Sequence, residues 1–299
     1  MKNIYMLILV LSSNTYPAKR NLKAQKNTWV KELKNFTEIE YFFYFPGDKF
    51  LISNHDIYFN IGKTTKDIVD RDLLVYEWLL QNYEFEFVFR TNNSSYINPK
   101  YLLEKTSSFA DGSNFIYSGK IMNTNDAEGK NLNFVSGSGV LFSKNTIEKL
   151  IENKKLIDKS LWDDVAIGKL LLSVGIKPQS GKRVDIKGNI FKFNDFSTDD
   201  YHYRCRIDNH YGYPRFLEKL VMNELHNKII SKQTNNLKLK VLKRIFEIFK
   251  IFYINNLSWK TYSFIKKTIK GALPTKIYNI VKNRTKKARK KFYLRNLKE

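Results

Sequence analysis

Two adjacent carboxylates, Asp163 and Asp164, are the side chains of this sequence best placed to do chemistry. The spacing of the apolar residues behind them predicts a helix that begins at the pair, where the partial positive charge of a helix N-terminus stabilises carboxylates. An acidic N-terminal turn is one interpretation of the pair, and a catalytic carboxylate is the other. The apolar residues at helical spacing are Val165, Ile167, Leu170, Leu171 and Val174.

Upstream of the pair, residues 134–143 join small residues to an apolar run. This composition predicts a Gly/Ser turn that leads into a strand, followed by an amphipathic helix over residues 146–157. Because glycine has no side chain, such a turn lets the backbone approach a ligand closely. The small residues of the turn are Ser136, Gly137, Ser138 and Gly139.

Residues 4–11 form an apolar run followed by Ser12 and Ser13, and a polar, helix-like stretch continues from there to Trp29. A first strand that leads into a loop and a helix is typical of a nucleotide-binding α/β domain. A secretory signal is the rival interpretation, but the run is short and no small-residue cleavage pattern follows it. The run is also too short to span a bilayer.

A second predicted strand lies at residues 85–89, which are aromatic and β-branched. The strand ends in a polar group of residues, where a nucleotide-binding domain holds its ligand. These polar residues are Arg90, Thr91, Asn92, Asn93 and Ser94.

The order strand, Gly-Ser-Gly, helix, Trp-Asp-Asp-Val, helix resembles the second half of the β1,3-galactosyltransferases and Fringe-like glycosyltransferases. The resemblance covers residues 4–225 and implies a GT-A fold, which is a mainly parallel sheet flanked by helices. It also implies inverting transfer of a sugar from a nucleotide sugar, with UDP expected as the nucleotide, to a glycan or lipid-linked glycan. The family's catalytic base corresponds to Asp164, with Asp163 beside it. The expected acceptor contacts are Trp162, Ser136, Gly137, Ser138 and Gly139.

The resemblance puts residues 90–94 in the donor site and raises the question of a metal ion. Matching Tyr96-Ile97-Asn98 to the family's pattern places Asn92, Asn93 and Ser94 where the family carries an acidic metal-binding triplet. A divalent cation prefers hard anionic oxygens, so three outcomes stay open. Arg90, aided by Arg204 or Arg206, replaces the metal charge; or Mn²⁺ or Mg²⁺ binds weakly through Asn92, Ser94 and His202; or catalysis is lost. In the last case the chain is a non-catalytic sugar- or nucleotide-binding relative.

Further donor contacts follow from the same resemblance. Ser12 and Ser13 follow the first strand, and Arg20 with Trp29 resembles the family's Arg-bearing helix. Residues 201–206 alternate aromatic and polar groups, which predicts a strand, and related enzymes often have a His near the diphosphate at this position. His202 and Arg204 are therefore expected near the diphosphate, and a half-buried structural His is the alternative. Asp195, Asp199 and Asp200 either cap a turn or bind a sugar.

Charge divides the 299 residues into a predicted catalytic domain over 1–230 and a basic tail over 231–299. The tail has 20 Lys and Arg against 2 acidic residues, which is a net charge of +18 out of the total +23. Residues 237–253 predict a cationic amphipathic helix. Such a tail can bind an anionic membrane surface, bind nucleic acid or pack on the catalytic domain. No nucleic-acid recognition motif is found, so the membrane is the expected partner.

The single cysteine, Cys205, excludes an intrachain disulfide and suits a reducing compartment. Together with the basic tail, it predicts a cytoplasmic enzyme held peripherally on the inner face of a membrane.

Overall fold

A mainly parallel sheet of eight strands organises the computed structural model of the chain, in which residues 1–109, 115–125, 129, 131–186, 197–207 and 215–231 are described. The strands pair in the order β11-β9-β10-β7-β2-β3-β5-β4, and β7, β2, β3 and β5 run parallel to one another at its centre. The strands are β1 (Lys2–Asn3), β2 (Met6–Leu11), β3 (Ile39–Gly47), β4 (Leu51–Ser53), β5 (Asp56–Asn60), β6 (Tyr83–Glu84), β7 (Phe87–Asn92), β8 (Ser95–Ile97), β9 (Tyr117–Asn125), β10 (Asn131–Ser143), β11 (Gln179–Ser180), β12 (Val184–Asp185) and β13 (His202–Arg204).

Seven helices of the described residues accompany the sheet. Three of them, α3, α5 and α6, share one buried apolar cluster with β2, β3, β7 and β10, so they cover a face of the sheet. The helices are α1 (Ala18–Lys26), α2 (Trp29–Glu32), α3 (Ile68–Asn82), α4 (Pro99–Ser107), α5 (Lys144–Glu152), α6 (Asp163–Ser173) and α7 (Glu218–Ser231), with 3₁₀ turns at Leu33–Asn35, Lys154–Leu156 and Arg215–Leu217. The predicted α/β class, with a mainly parallel sheet flanked by helices, is confirmed.

The first predicted strand is the central strand β2. Its residues Met6 to Val10 are fully buried. Other parts of the chain pack on both faces of the sheet at this strand, and parallel strands pair with both of its edges. This explains why the run reads as continuously apolar and not as alternating. The second predicted strand becomes β7, which begins two residues later than predicted, extends three residues further into the polar group and ends at Asn92.

Helix α6 begins and ends as its sequence dictates. Trp162 has an extended backbone, and Asp163 and Asp164 form the first turn of the helix. At the other end Gly175 takes a φ of 84°, which only glycine adopts without strain. The amides of Gly175 and Ile176 then bond back to the carbonyls of Leu172 and Leu171, at 3.1 and 2.8 Å, and close the helix.

The predicted Gly/Ser turn is wrong, because residues 136–139 lie inside a strand and not before it. Strand β10 runs from Asn131 to Ser143 through the small residues, and its register against β9 shifts between Val135 and Val140. The segment 136–139 is therefore a bulge inside a long strand. A bulge leaves residues unpaired and re-aims them, so this part of β10 can serve a site while both flanks stay in the sheet.

A small second sheet brings a late segment of the chain to the end of β7. Its order is β12-β13-β8, and β8 follows β7 after only two residues. The pairing sets His202 opposite Ile97 and Arg204 opposite Ser95. The predicted strand over 201–206 is shorter than expected, since β13 holds three residues.

By its contacts the chain divides into two units, Met1–Asn235 and Asn236–Glu299. The predicted helix over 237–253 and Asp195 lie outside the described residues. None of the described helices has both the length and the apolar composition that crossing a bilayer requires.

Candidate active site

A cleft of about 930 Å³ lies at the carboxyl ends of the four central parallel strands. Ser12 and Ser13 follow β2, Gly47 ends β3, Lys63 follows β5, and Asn92 ends β7; all of these residues line the cleft. Parallel α/β sheets bind ligands at this edge. With strands about 4.8 Å apart, the four strand ends extend over about 14 Å. The cleft is therefore long enough for an extended nucleotide.

The walls of the cleft are positively charged. Five basic side chains and one carboxylate, Asp48, line it, and the cleft also includes the residues at the starts of α1 and α3. Helix N-termini add partial positive charge from backbone amides. Such a surface attracts phosphate groups. The basic residues are Lys49, Lys63, Arg71, Arg206 and Arg215.

The predicted donor triplet lines this cleft. The Asn93 amide nitrogen donates to the Ser12 hydroxyl at 2.7 Å, and the Ser94 backbone amide donates to Asn92 Oδ1 at 3.0 Å. Arg215 Nη2 donates to Ser94 Oγ at 3.3 Å. The triplet is therefore a hydrogen-bonded part of the cleft wall, next to a guanidinium group.

The bulge of β10 is tied to both flanks of the triplet. The carbonyl of Ser138 accepts hydrogen bonds from Thr91 Oγ1 at 2.7 Å and from Ser95 Oγ at 3.1 Å. Thr91 itself is fully buried and does not line the cleft. The bulge and the cleft wall thus form one connected structure at the end of β7.

Asp164, which does not itself line the cleft, binds the same bulge from the other side. Its Oδ2 accepts the amide of Gly137 at 2.9 Å, and its Oδ1 accepts the amide of Val165 at 3.1 Å. Burial raises the pKa of Asp164, and the charge of neighbouring Asp163 raises it further. A carboxylate with a raised pKa is a stronger proton acceptor, which suits a general base.

Asp163 and Arg90 belong to a buried ionic cluster. Arg90 Nη2 lies 2.6 Å from Asp163 Oδ2 and 2.8 Å from Asp72 Oδ2, and its Nε donates to the Tyr44 hydroxyl at 3.1 Å. Its Nη1 donates to the carbonyl of Gly137. A Cβ atom at Gly137 would lie 2.6 Å from that nitrogen, so a larger residue here would displace the Arg90 guanidinium.

This placement argues against the predicted contact between Arg90 and a diphosphate. The Arg90 side chain is 3% exposed, does not line the cleft, and has its donors taken by protein groups. The arrangement instead gives Arg90 a structural role, because it holds α3, α6 and the bulge of β10 together.

His202 is also buried, at 1% exposure, and does not line the cleft. Its Nε2 contacts Ser95 Oγ at 3.1 Å, and a Cβ atom at Gly139 would lie 2.0 Å from the ring. Burial lowers the pKa of His202 to about 3, so the ring is neutral at neutral pH. The sequence leaves a half-buried structural His as the alternative to a diphosphate contact. The structure favours the structural role, and it buries the ring almost completely.

Of the remaining predicted residues, Trp162 is 64% exposed beside the carboxylate pair. Ser136 and Ser138 are buried, and their hydroxyl groups accept hydrogen bonds from Arg183 Nη1. Arg20 is exposed and, like Arg204, does not line the cleft. The carboxylate of Asp199 accepts from the Tyr101 hydroxyl, and Asp200 pairs with Lys182.

The residues predicted to hold a metal ion do not fit one. Asn92 Oδ1 and Ser94 Oγ already bond to protein groups, and His202 is buried away from the cleft. None of these three side chains carries negative charge, which a divalent cation prefers among its ligands. Among the described residues no group of three His, Cys, Asp or Glu side chains could hold a metal.

Several cleft residues could not be recognised from sequence, notably Lys49, Lys63, Arg71 and Arg215. Lys49 and Lys63 lie on two separate loops, Arg71 in the first turn of α3 and Arg215 in the 3₁₀ turn before α7, so they meet only in the fold. One signal was available: Arg215 and Glu218 are three residues apart, which is the spacing of an ion pair on one helix face.

No protein-family model and no curated protein matches the chain. One similar solved structure is a glycosyltransferase involved in the glycosylation of the major capsid of PBCV-1, at 11% identity and a TM-score of 0.44, over 73% of this chain and 98% of that chain. Another is 4-diphosphocytidyl-2C-methyl-D-erythritol synthase from Anaerococcus prevotii, at 13% identity and a TM-score of 0.35, over 60% of this chain and 88% of that chain. Both TM-scores are below 0.5, so the functional argument rests on the residues of the site. Membership of the β1,3-galactosyltransferase and Fringe-like family stays a prediction.

Proposed function

We propose that the chain is an inverting glycosyltransferase of the GT-A type that moves a sugar from a nucleotide sugar to a hydroxyl group of a glycan or lipid-linked glycan. The observation that supports this most is the hydrogen-bonded path from Asp164 through Gly137 and Ser138 to Thr91 and Ser95. These last two residues flank the triplet that lines the basic cleft. A candidate base and a candidate phosphate site therefore lie at the same end of β7.

In this mechanism Asp164 takes the proton of the acceptor hydroxyl. The acceptor oxygen then forms a bond to the anomeric carbon, while the bond from that carbon to the diphosphate breaks and its electron pair leaves with the diphosphate. The displacement inverts the anomeric carbon in one step. Exposed Trp162, directly before the carboxylates, offers an aromatic face on which an acceptor sugar can stack.

The basic cleft holds the donor. Its charge favours the diphosphate, and the end near Leu51 and Tyr58 offers apolar surface for a nucleobase. UDP is the nucleotide that we expect, as the family resemblance implies.

The tail, 231–299, adds a location to the proposal. Its net charge of +18 favours binding to an anionic membrane surface, where each basic residue contributes about 1 kcal/mol. A lipid-linked acceptor would be presented at such a surface.

The experiment is substitution of Asp164 by Asn, which keeps the shape of the side chain and removes its ability to take a proton. A panel of UDP-, GDP- and CDP-sugars is tested for slow hydrolysis in water and for thermal stabilisation of the protein. We expect Asp164→Asn to lower turnover at least about 100-fold while the nucleotide sugar still stabilises the fold. Asp158→Asn, six residues earlier and bound to Ser160 and Lys169, is the control and should keep its turnover.

Unchanged turnover in Asp164→Asn would refute the assignment of the base. A wild-type protein that a nucleotide sugar stabilises but that shows no turnover would favour the second candidate, a non-catalytic nucleotide- or sugar-binding protein. The pairing of Asp163 with Arg90 and the neutral triplet are the observations that favour this candidate.

A further inference from the structure

A buried carboxylate, Glu218, holds an arginine at the wall of the cleft. Glu218 is the first residue of α7 and is fully buried. Its Oε1 accepts from Arg215 Nε at 2.7 Å and from the Ile207 amide at 3.2 Å. Its Oε2 accepts from Arg215 Nη2 at 3.2 Å and from Asn21 Nδ2 at 2.5 Å. Ser94 Oγ also donates to Oε2, at 3.5 Å, and these five hydrogen bonds compensate the buried charge.

This arrangement fixes the orientation of the Arg215 guanidinium. Two of its nitrogens bind the carboxylate in the fork geometry that is specific to arginine, and Nη2 also reaches Ser94 Oγ of the triplet. The side chain is 30% exposed and lines the cleft. No acceptor within the described residues takes the two donors of Nη1. Arg206, which is exposed, lines the same cleft.

We propose that Arg215, oriented by Glu218 and assisted by Arg206, binds the diphosphate of the donor and stabilises the charge that develops on it. The inference rests on the proposed function. As the bond between the anomeric carbon and the diphosphate breaks, the electron pair goes to the bridging phosphate oxygen, and the proton of the acceptor goes to Asp164. A guanidinium group keeps its charge at any physiological pH, so it stabilises that oxygen directly. Glu218 acts as a positioning residue, because it touches the arginine and not the ligand.

The test compares diphosphates with their nucleosides, so that the contribution of the phosphates is isolated. Binding of UDP, GDP and CDP, and of uridine, guanosine and cytidine, is measured by calorimetry on the full chain in EDTA. We expect one diphosphate to bind far more tightly than its nucleoside in the wild type. Arg215→Gln should weaken that diphosphate by about 10- to 100-fold and leave the nucleoside unchanged, since one charged hydrogen-bonding group is removed.

Three further variants separate positioning and charge from folding. Glu218→Gln should weaken diphosphate binding less than Arg215→Gln does, because the arginine remains but is no longer held by a charge. It should also lower kcat more than it raises KM. Arg206→Gln changes an exposed residue and should weaken the diphosphate without lowering thermal stability. Lys219→Gln, next to Glu218 on α7 and outside the cleft, is the matched control and should bind as the wild type does.

Each unfavourable outcome has a distinct meaning. If Arg215→Gln and Arg206→Gln both fold and keep the wild-type ratio of diphosphate to nucleoside affinity, the inference is wrong and the proposed function stands. If the wild type binds diphosphate only after Mn²⁺ is added, a metal supplies the charge and the inference is again wrong. If the wild type binds none of the three diphosphates with or without Mn²⁺, the proposed function itself fails.

Discussion

Replacing Arg90 with Met should destabilise the fold strongly, because the arginine compensates a carboxylate that water cannot reach. Asp72 is 1% exposed, whereas Asp163, the other carboxylate of the cluster, is 14% exposed. Methionine keeps a flexible apolar side chain and removes the charge. Removing one partner of a buried ion pair costs about 3–5 kcal/mol, and most of this loss should come from Asp72.

The stability lost in Arg90→Met should depend on pH, and the pKa of Asp72 gives the direction of that dependence. Burial already raises the pKa of Asp72 to about 6 with Arg90 present, so the folded state binds its proton more tightly than the unfolded state does. The contribution of Asp72 to stability is therefore present below pH about 4 and is lost as the pH rises through about 6. Without Arg90 the pKa rises further. The stability deficit of Arg90→Met should then shrink as the pH falls from 8 to 5.

Urea unfolding followed by circular dichroism, at pH 8 and pH 5, measures both effects. The double variant Arg90→Met/Asp72→Asn should be more stable than Arg90→Met, because it removes the uncompensated charge. Lys149→Met breaks an exposed pair with Glu152 and should cost less than about 1 kcal/mol. If Arg90→Met stays within about 1 kcal/mol of the wild type and loses nucleoside diphosphate binding, Arg90 is a ligand contact and the structural role is wrong.

Two further predictions concern His202 and the tail. Because burial lowers the pKa of His202 to about 3, the unfolded state takes up the proton first, and stability should fall as the pH drops from about 6.5 toward 3. His202→Gln should remove about 2 kcal/mol of the loss between pH 6.5 and pH 5 in urea unfolding; an unchanged loss would mean that the ring is charged in the fold. The full chain should sediment with vesicles that contain anionic lipid and be partly released by salt, because screening weakens the attraction of the +18 tail, whereas a chain that ends at residue 235 should stay in solution. Equal sedimentation of both proteins, or of neither, would contradict the membrane proposal.

The order of the main elements could be predicted because their signals are local. Continuous apolar character marks β2, and the apolar spacing after Asp163 marks α6 and its first residue. The bulge of β10 could not be predicted, since it depends on register against a neighbouring strand. Small residues read equally well as a turn, and pairing on both flanks decides between the two structures.

The position of the candidate site could be predicted from the sequence, but the ion-pair partners of its charged residues could not. Asn92, Asn93 and Ser94 line the cleft because β7 ends there, which the sequence pattern indicates. The partners of Arg90 are 18 and 73 residues away along the chain, and Glu218 binds an asparagine 197 residues away. The periodicity of a sequence predicts only local structure, so it does not predict pairs between residues this far apart. A lone arginine before a polar triplet therefore suggests a ligand contact, even where the fold buries it.

The neutral triplet and the basic cleft have one physical explanation. Carboxylates next to a diphosphate are favourable only when a cation lies between them; without it they repel the phosphates. In this chain the triplet contributes no negative charge, and the lining side chains of the cleft include five cations against one carboxylate. Arg215 contacts the triplet through Ser94. A triplet without carboxylates and a guanidinium fixed at the same point of the cleft would therefore both favour the proposed diphosphate, and each would be less favourable without the other.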